Sequence, residues 1–168
     1  MRSPVVIGVD PGAQGAIVAL TEAGVPELAW AADAADGWFV SGDPEPLEIA
    51  ARLRSLQDGG VLRVVLESAF APGKIGTANA ITIGRRWGIL YAAIRAARLP
   101  LVVVTPAQWS RDMFGAKKGG TGRQRKQAAV RLVGERVPGL GLVLPGRRLP
   151  HDGLADAACL ALWGWERA

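Results

Sequence analysis

The chain has 168 residues, 49% of them hydrophobic and 21% charged, which suits one compact domain over residues 1–168 with a real core and little room for a second. Its apolar runs break well short of the roughly 18 positions a membrane helix needs. Met1-Arg2-Ser3-Pro4 leads straight into a strand-like run with no signal-peptide core, and the single cysteine, Cys159, has no disulfide partner, so a reducing, cytoplasmic setting is expected.

The net charge of +5 is unevenly spread: residues 1–60 carry three basic against nine acidic side chains, and residues 111–148 ten basic against two acidic. Such asymmetry is expected where one surface faces a polyanion.

In chain order, Val5–Val9 reads as a strand that ends on Asp10, Pro11–Gly15 as a turn, and Ala16–Leu20 as a second strand. Thr21–Gly24 is another turn and Val25–Ala32 a weaker third strand. Asp36–Pro46 has turn-like composition. Leu47, Ile49, Ala50, Leu53 and Leu56 show helical spacing, closed by Asp58-Gly59-Gly60. Val61–Leu66 is an apolar run typical of a strand covered on both faces, and it ends on Glu67. A loop leads to a long helix over Thr77–Arg98, with Ile81, Gly84, Trp87, Gly88, Tyr91 and Ile94 expected on its inner side.

Leu101–Val104 is the next strand, and Thr105-Pro106 begins a short helix carrying Trp109 and Phe114. The Gly115–Gly122 loop contains Lys117 and Lys118. Arg123–Val137 reads as a basic amphipathic helix, Gly139–Pro150 as a Gly/Pro-rich connector, and Asp152–Glu166 as an apolar helix. Three antiparallel strands followed by alternating helices and strands predict an α/β fold with a mixed five-stranded sheet, its later strands parallel and joined by right-handed crossovers.

That topology would gather the strand-end carboxylates on one edge of the sheet, and the last helix would return Asp152 and Asp156 to it. Each acid has an ordinary explanation alone: Asp10 as part of an Asp-Pro-Gly turn, Glu67 reaching solvent, Asp152 as a helix cap. Asp156 sits among Leu154, Ala155, Ala157 and Ala158, where capping explains it poorly. Four carboxylates at the ends of apolar elements are costly unless cations compensate them. Hard oxygen donors suit Mg²⁺ or Mn²⁺, and paired ions of that kind serve phosphodiester hydrolysis. The expected chemistry is in-line attack by water with two ions held by Asp10, Glu67, Asp152 and Asp156, Asp10 bridging them, giving 5′-phosphate and 3′-hydroxyl ends. His151 either orients a water or phosphate beside the site or is an ordinary exposed residue before the helix.

The segments Ile7-Gly8-Val9-Asp10-Pro11-Gly12, Val65-Leu66-Glu67-Ser68-Ala69-Phe70 and His151-Asp152-Gly153-Leu154-Ala155-Asp156-Ala157 together resemble the RuvC-type Holliday junction resolvases, the last most closely in their phage and organellar branch. The resemblance runs over nearly the whole chain. It implies an RNase H-like fold, a homodimer, dependence on Mg²⁺ or Mn²⁺ with two ions per site, and symmetric nicking of four-way DNA junctions in a nucleoid-associated setting. Asp10 and Glu67 match the family's first two acidic ligands and Asp156 its last.

The further ligand in bacterial members stands three residues before that last aspartate, at Gly153 here, so Asp152, or else His151, must supply it. Phe70 falls where the family places an aromatic side chain that stacks on bases, although core packing would also explain it. Lys74, Lys117, Lys118, Arg123, Arg125 and Lys126 suit phosphate contacts. The helix around Gly84-Arg85-Arg86-Trp87-Gly88 could pair two copies through its small residues and Trp87, or simply pack on the sheet.

Two further readings compete. An RNase H-like nuclease could instead act on RNA–DNA hybrids or other branched DNA. Ile-Gly-Val-Asp-Pro-Gly also suggests the first phosphate loop of actin-like ATPases, but those need two lobes, which 168 residues do not readily supply. Cleavage sequence, physiological metal and any branch-migration partner are not written in the chain.

Overall fold

The computed structural model describes residues 3–12, 14–40, 43–69, 76–115 and 122–168. Three strands form first, β1 (Val5–Asp10), β2 (Ala16–Thr21) and β3 (Pro26–Ala31), in an antiparallel meander whose turns fall at the glycine-containing segments. Two short strands, β4 (Phe39–Val40) and β5 (Asp43–Pro44), pair within the stretch of turn-like composition. Helix α1 (Pro46–Arg54) starts where Glu45 caps the Leu47 N–H and proline occupies the first turn, where no backbone donor is needed.

Strand β6 (Val61–Glu67) joins β1 in parallel, and β7 (Leu101–Val104) joins β6 in parallel, giving the order β3-β2-β1-β6-β7. The long α2 (Thr77–Ala96) is the crossover between them. After β7 come α3 (Pro106–Phe114), capped by the Thr105 hydroxyl, α4 (Gly122–Arg136) and α5 (Asp152–Trp165). This is the mixed sheet expected from the strand pattern. Among the described residues no helix is long and apolar enough to cross a membrane.

Both faces of the sheet are covered, which explains the continuous apolar runs of the central strands. On one face Val5, Ile7, Val9, Ile17, Val64 and Leu66 pack with α1, α2, Trp30 and Trp38. On the other, Val6, Val18, Leu20 and Val65 pack with α3, α4 and α5. Because side chains alternate along a strand, Asp10 and Glu67 share the second face with Val6 and Val65.

The inner side of α2 differs from the sequence-based expectation. Leu90, Ala93 and Ile94 are buried, whereas Ile81 (64% exposed), Gly84, Gly88 and Tyr91 (39% exposed) face outward. Helical periodicity identifies an apolar stripe but not which stripe meets the sheet, and α2 has apolar residues on both sides.

Candidate active site

Small residues seat α5 on β1 and so fix where its acids lie. A Cβ on Gly8 would stand 1.9 Å from the Ala157 carbonyl oxygen, and one on Gly164 would stand 2.6 Å from Val6 Cγ1. Gly153 lies against the turn after β1, its Cβ position 2.0 Å from the Gln14 carbonyl oxygen. Helix α5 therefore runs antiparallel to β1, its C-terminal end over Val6 and its first turn beyond Asp10. This contact also explains why no ligand side chain stands at position 153: the turn backbone fills that space.

Asp10 and Glu67 are the next positions after the Val9–Leu66 pair of parallel strands, whose backbones are about 4.8 Å apart. Asp10 Oδ1 accepts a hydrogen bond from the Gly12 N–H at 3.0 Å. Glu67 is fixed by two indoles: Trp109 Nε1 donates to its Oε2 at 2.6 Å, and Trp87 Nε1 donates to its backbone oxygen at 2.9 Å. Trp109 is buried and packs edge-on against Phe114.

Electrostatics register the gathering. Burial, then the charges of Glu67 and Asp156, push the Asp10 carboxyl up to about 8, against the lowering influence of the Gly12 N–H and Lys126. Burial raises Glu67 to about 7, with Asp156 adding to the rise while the Trp109 indole and Arg125 oppose it. Burial likewise raises Asp156 to about 6, opposed by Arg125 and Lys126 and assisted by Asp152. Three carboxylates from three elements thus feel one another's charge, with Arg125 and Lys126 as the offsetting cations.

Among the described residues no three acidic, histidine or cysteine side chains form a ready metal cage. Like charges with no cation between them are expected to stand apart. The donor set itself, all carboxylate oxygens, fits a hard divalent cation.

The remaining predicted residues separate clearly. Asp152 is half-exposed at the rim and holds Lys126 Nζ at 2.6 Å, an ion pair that raises the lysine's pKa. The capping role falls to His151, which is not the exposed residue its position before the helix suggests. Its Nδ1 accepts from the Leu154 N–H at 3.1 Å and its Nε2 meets Asp33 Oδ1 at 2.7 Å. With Nδ1 as acceptor, Nε2 carries the proton and donates it to Asp33. Arg123 and Arg125 are exposed at the start of α4. Phe70, Lys74, Lys117 and Lys118 lie outside the described residues.

Sequence reasoning gave Trp109, Trp87 and Asp33 no part in the site. Their partners are 42, 20 and 118 residues away, so no local spacing announces them.

No family model and no curated relative matches the chain. Solved structures do. A Thermus thermophilus RuvC structure superposes with a TM-score of 0.62 at 21% identity, covering 97% of this chain and 95% of that one. Thermus thermophilus RuvC in complex with a Holliday junction substrate gives 0.62 at 18% identity, over 97% and 94%. The yeast mitochondrial Holliday junction resolvase gives 0.54 at 17% identity, over 99% and 80%. At these identities the likeness establishes the fold, which is that of the RuvC-type resolvases.

Proposed function

We propose that the chain is a metal-dependent endonuclease that resolves four-way DNA junctions. One observation carries the reading: Asp10, Glu67 and Asp156, from two strands and a helix, are buried toward one sheet edge, where the charge of Asp156 weighs on Glu67 and the charges of both weigh on Asp10. A fold gains nothing in stability from such an arrangement, so it is best explained as a site for divalent cations.

Asp10, Glu67 and Asp156 would hold Mg²⁺ or Mn²⁺, with Asp152 joining once its carboxylate leaves Lys126. When bound, the ions would activate the attacking water and stabilise the departing 3′-oxygen, so that 5′-phosphate and 3′-hydroxyl ends result. The protein's own groups do the positioning. Trp109 and Trp87 fix Glu67, the Gly12 N–H fixes Asp10, and Arg125 and Lys126 temper the cluster's charge and contact phosphate with Arg123.

One of the structural neighbours is bound to a Holliday junction substrate, which supports branched DNA as the substrate here. The outward apolar stripe of α2, with Ile81, Gly84, Gly88 and Tyr91, supports a homodimer whose two sites nick symmetrically. A nucleoid-associated, cytoplasmic location belongs to the same proposal.

The test is incubation of the protein with an end-labelled immobile four-way junction, a linear duplex and an RNA–DNA hybrid, each with and without Mg²⁺ or Mn²⁺. Paired, metal-dependent nicks at the junction alone are expected. Cleavage of the hybrid in preference to the junction would move the assignment to an RNase H-like activity.

A further inference from the structure

We infer that the loop Leu144–Pro150 is a second DNA-binding element, in which Arg148 takes a backbone phosphate and Leu149 packs on bases exposed where the strands of branched DNA part. The inference deepens the nuclease reading above and rests on it.

The loop is stiff by construction. Pro145 and Gly146 form a turn closed by the Arg147 N–H donating to the Leu144 oxygen at 3.0 Å, and Gly146 takes the φ of +77° that such a turn requires. Its base is closed by the His151 N–H donating to the Leu142 oxygen at 2.7 Å. Asp33, just past β3, holds both Arg147 (3.6 Å) and His151 (2.7 Å), and His151 caps α5. The loop is thus tied to the end of β3 and to the start of the helix that carries Asp152 and Asp156.

What this braced loop presents is Leu149, 77% exposed, beside Arg148, which makes no ion pair among the described residues. A lone exposed leucine is ordinary; its position gives it meaning. Strand β3 runs parallel to β1 with β2 between them, so its C-terminal end shares the edge that holds Asp10. Two strand spacings separate them, about 10 Å. Arg125, at the start of α4, reaches the field of Glu67 and Asp156.

The acid edge therefore has two cationic elements near it, the start of α4 and this loop, and a DNA strand crossing the acids could reach both. Arg147 is engaged by Asp33, so the loop's available charge is Arg148, and it complements a polyanion. An apolar side chain on a rigid support beside that charge is how proteins wedge between bases that are already unstacked.

The experiment uses the full chain in Ca²⁺, so that binding is read separately from cleavage. The DNAs are a four-way junction with 2-aminopurine at the crossover and a linear duplex of matching sequence. Arg148→Ala, Leu149→Ser and the control Leu47→Ser, equally exposed on α1, are compared with the parent. All three positions lie on the surface, and thermal melts verify folding. Loss of one phosphate contact in Arg148→Ala should reduce the log–log salt slope by about 0.9 on both DNAs. Leu149→Ser should weaken junction binding on the order of tenfold, spare the duplex and dampen the 2-aminopurine rise. Leu47→Ser should change neither.

If the parent nicks junctions in Mn²⁺ while Leu149→Ser matches it in junction affinity and 2-aminopurine signal, the inference falls and the nuclease reading stands. A change of oligomeric mass in Leu149→Ser, with DNA binding intact, overturns it in favour of a contact between copies. A parent that neither binds nor nicks junctions ends both.

Discussion

Replacing Asp10 with asparagine should make the metal-free protein more stable while abolishing cleavage. The Asp10 carboxyl ionises near 3.8 in an unfolded chain and at about 8 in the fold. Between those values the folded state binds more protons than the unfolded one, so stability falls as pH rises through the window. At about 1.4 kcal/mol for each pH unit, the full penalty at pH 7 is roughly 4 kcal/mol. Part of it is shared with Glu67 and Asp156, and burying a neutral amide has its own cost, so Asp10→Asn should recover about 2–3 kcal/mol. Asparagine keeps the oxygen that accepts from the Gly12 N–H, so the turn is preserved.

For a chain of this size the gain corresponds to a rise in Tm of roughly 5–10 °C. Thermal melts from pH 4 to pH 9 in EDTA measure it. The difference between variant and parent should be near zero at pH 4, grow steadily, and level off above about pH 8. Mn²⁺ should then raise the Tm of the parent and leave the variant almost unchanged. An Asp10→Asn protein that melts at or below the parent at pH 8 without metal would refute the claim that burial and neighbouring acids disfavour the ionised Asp10.

Other substitutions probe separate links. Trp109→Phe keeps the buried ring but removes the N–H that Glu67 accepts; a loss of about 1.5–3 kcal/mol in denaturant melts is expected. The same variant should need on the order of tenfold more Mn²⁺ for half-maximal cleavage, as loss of contacts that support metal ligands commonly causes. Gly153→Asp, which would place a carboxylate at the position the sequence resemblance marks for a further ligand, should instead cost at least about 3 kcal/mol and abolish activity, because its Cβ would collide with the Gln14 backbone; recovery of soluble, active protein would contradict this. Ile81→Glu on the outward face of α2 should yield a monomer by light scattering and lose paired nicking, with Tm changed only slightly; an unchanged dimer mass would move the interface elsewhere.

The strands were legible because turn residues bound each apolar run, and a carboxylate ending two such runs marked the edge where the acids would gather. The β4–β5 pair was not, since two-residue strands carry no period. The side of α2 that meets the sheet was misread because Ile81 and Tyr91 continue the apolar spacing on a face left uncovered in the single chain. At the start of α5 the sequence offered Asp152 as the cap, whereas His151 takes that role, its Nδ1 accepting from the Leu154 N–H while Asp33 holds its Nε2. Gly153 is the instructive case: as a departure from the family pattern it suggested a missing ligand, and in space it is a packing requirement imposed by Gln14 and Gly15. The indole that fixes Glu67 comes from a helix 42 residues further on, a relationship that exists only after β7 has docked beside β6.

The charge balance at the sheet edge bears on why the site would need metal before it needs DNA. Asp10, Glu67, Asp152 and Asp156 face Arg125 and Lys126, so full ionisation leaves two negative charges uncompensated. Burial first, and that excess in addition, favour protons on Asp10 and Glu67 near neutral pH. A phosphodiester, itself anionic, would be poorly received by such an edge. One divalent cation closes the deficit, and further positive charge turns the edge from repelling phosphate to attracting it. On this reading Lys126 is the adjustable member. It is half-exposed and paired to the rim acid rather than to the inner ones, so it can turn from Asp152 to phosphate as the carboxylates acquire their metal. Lys126→Gln should therefore cost at most about 1 kcal/mol in stability, as expected for a solvent-exposed pair. It should nevertheless weaken DNA binding in the presence of Ca²⁺ more than in EDTA; equal weakening in both would mean the lysine acts only as a fixed surface charge.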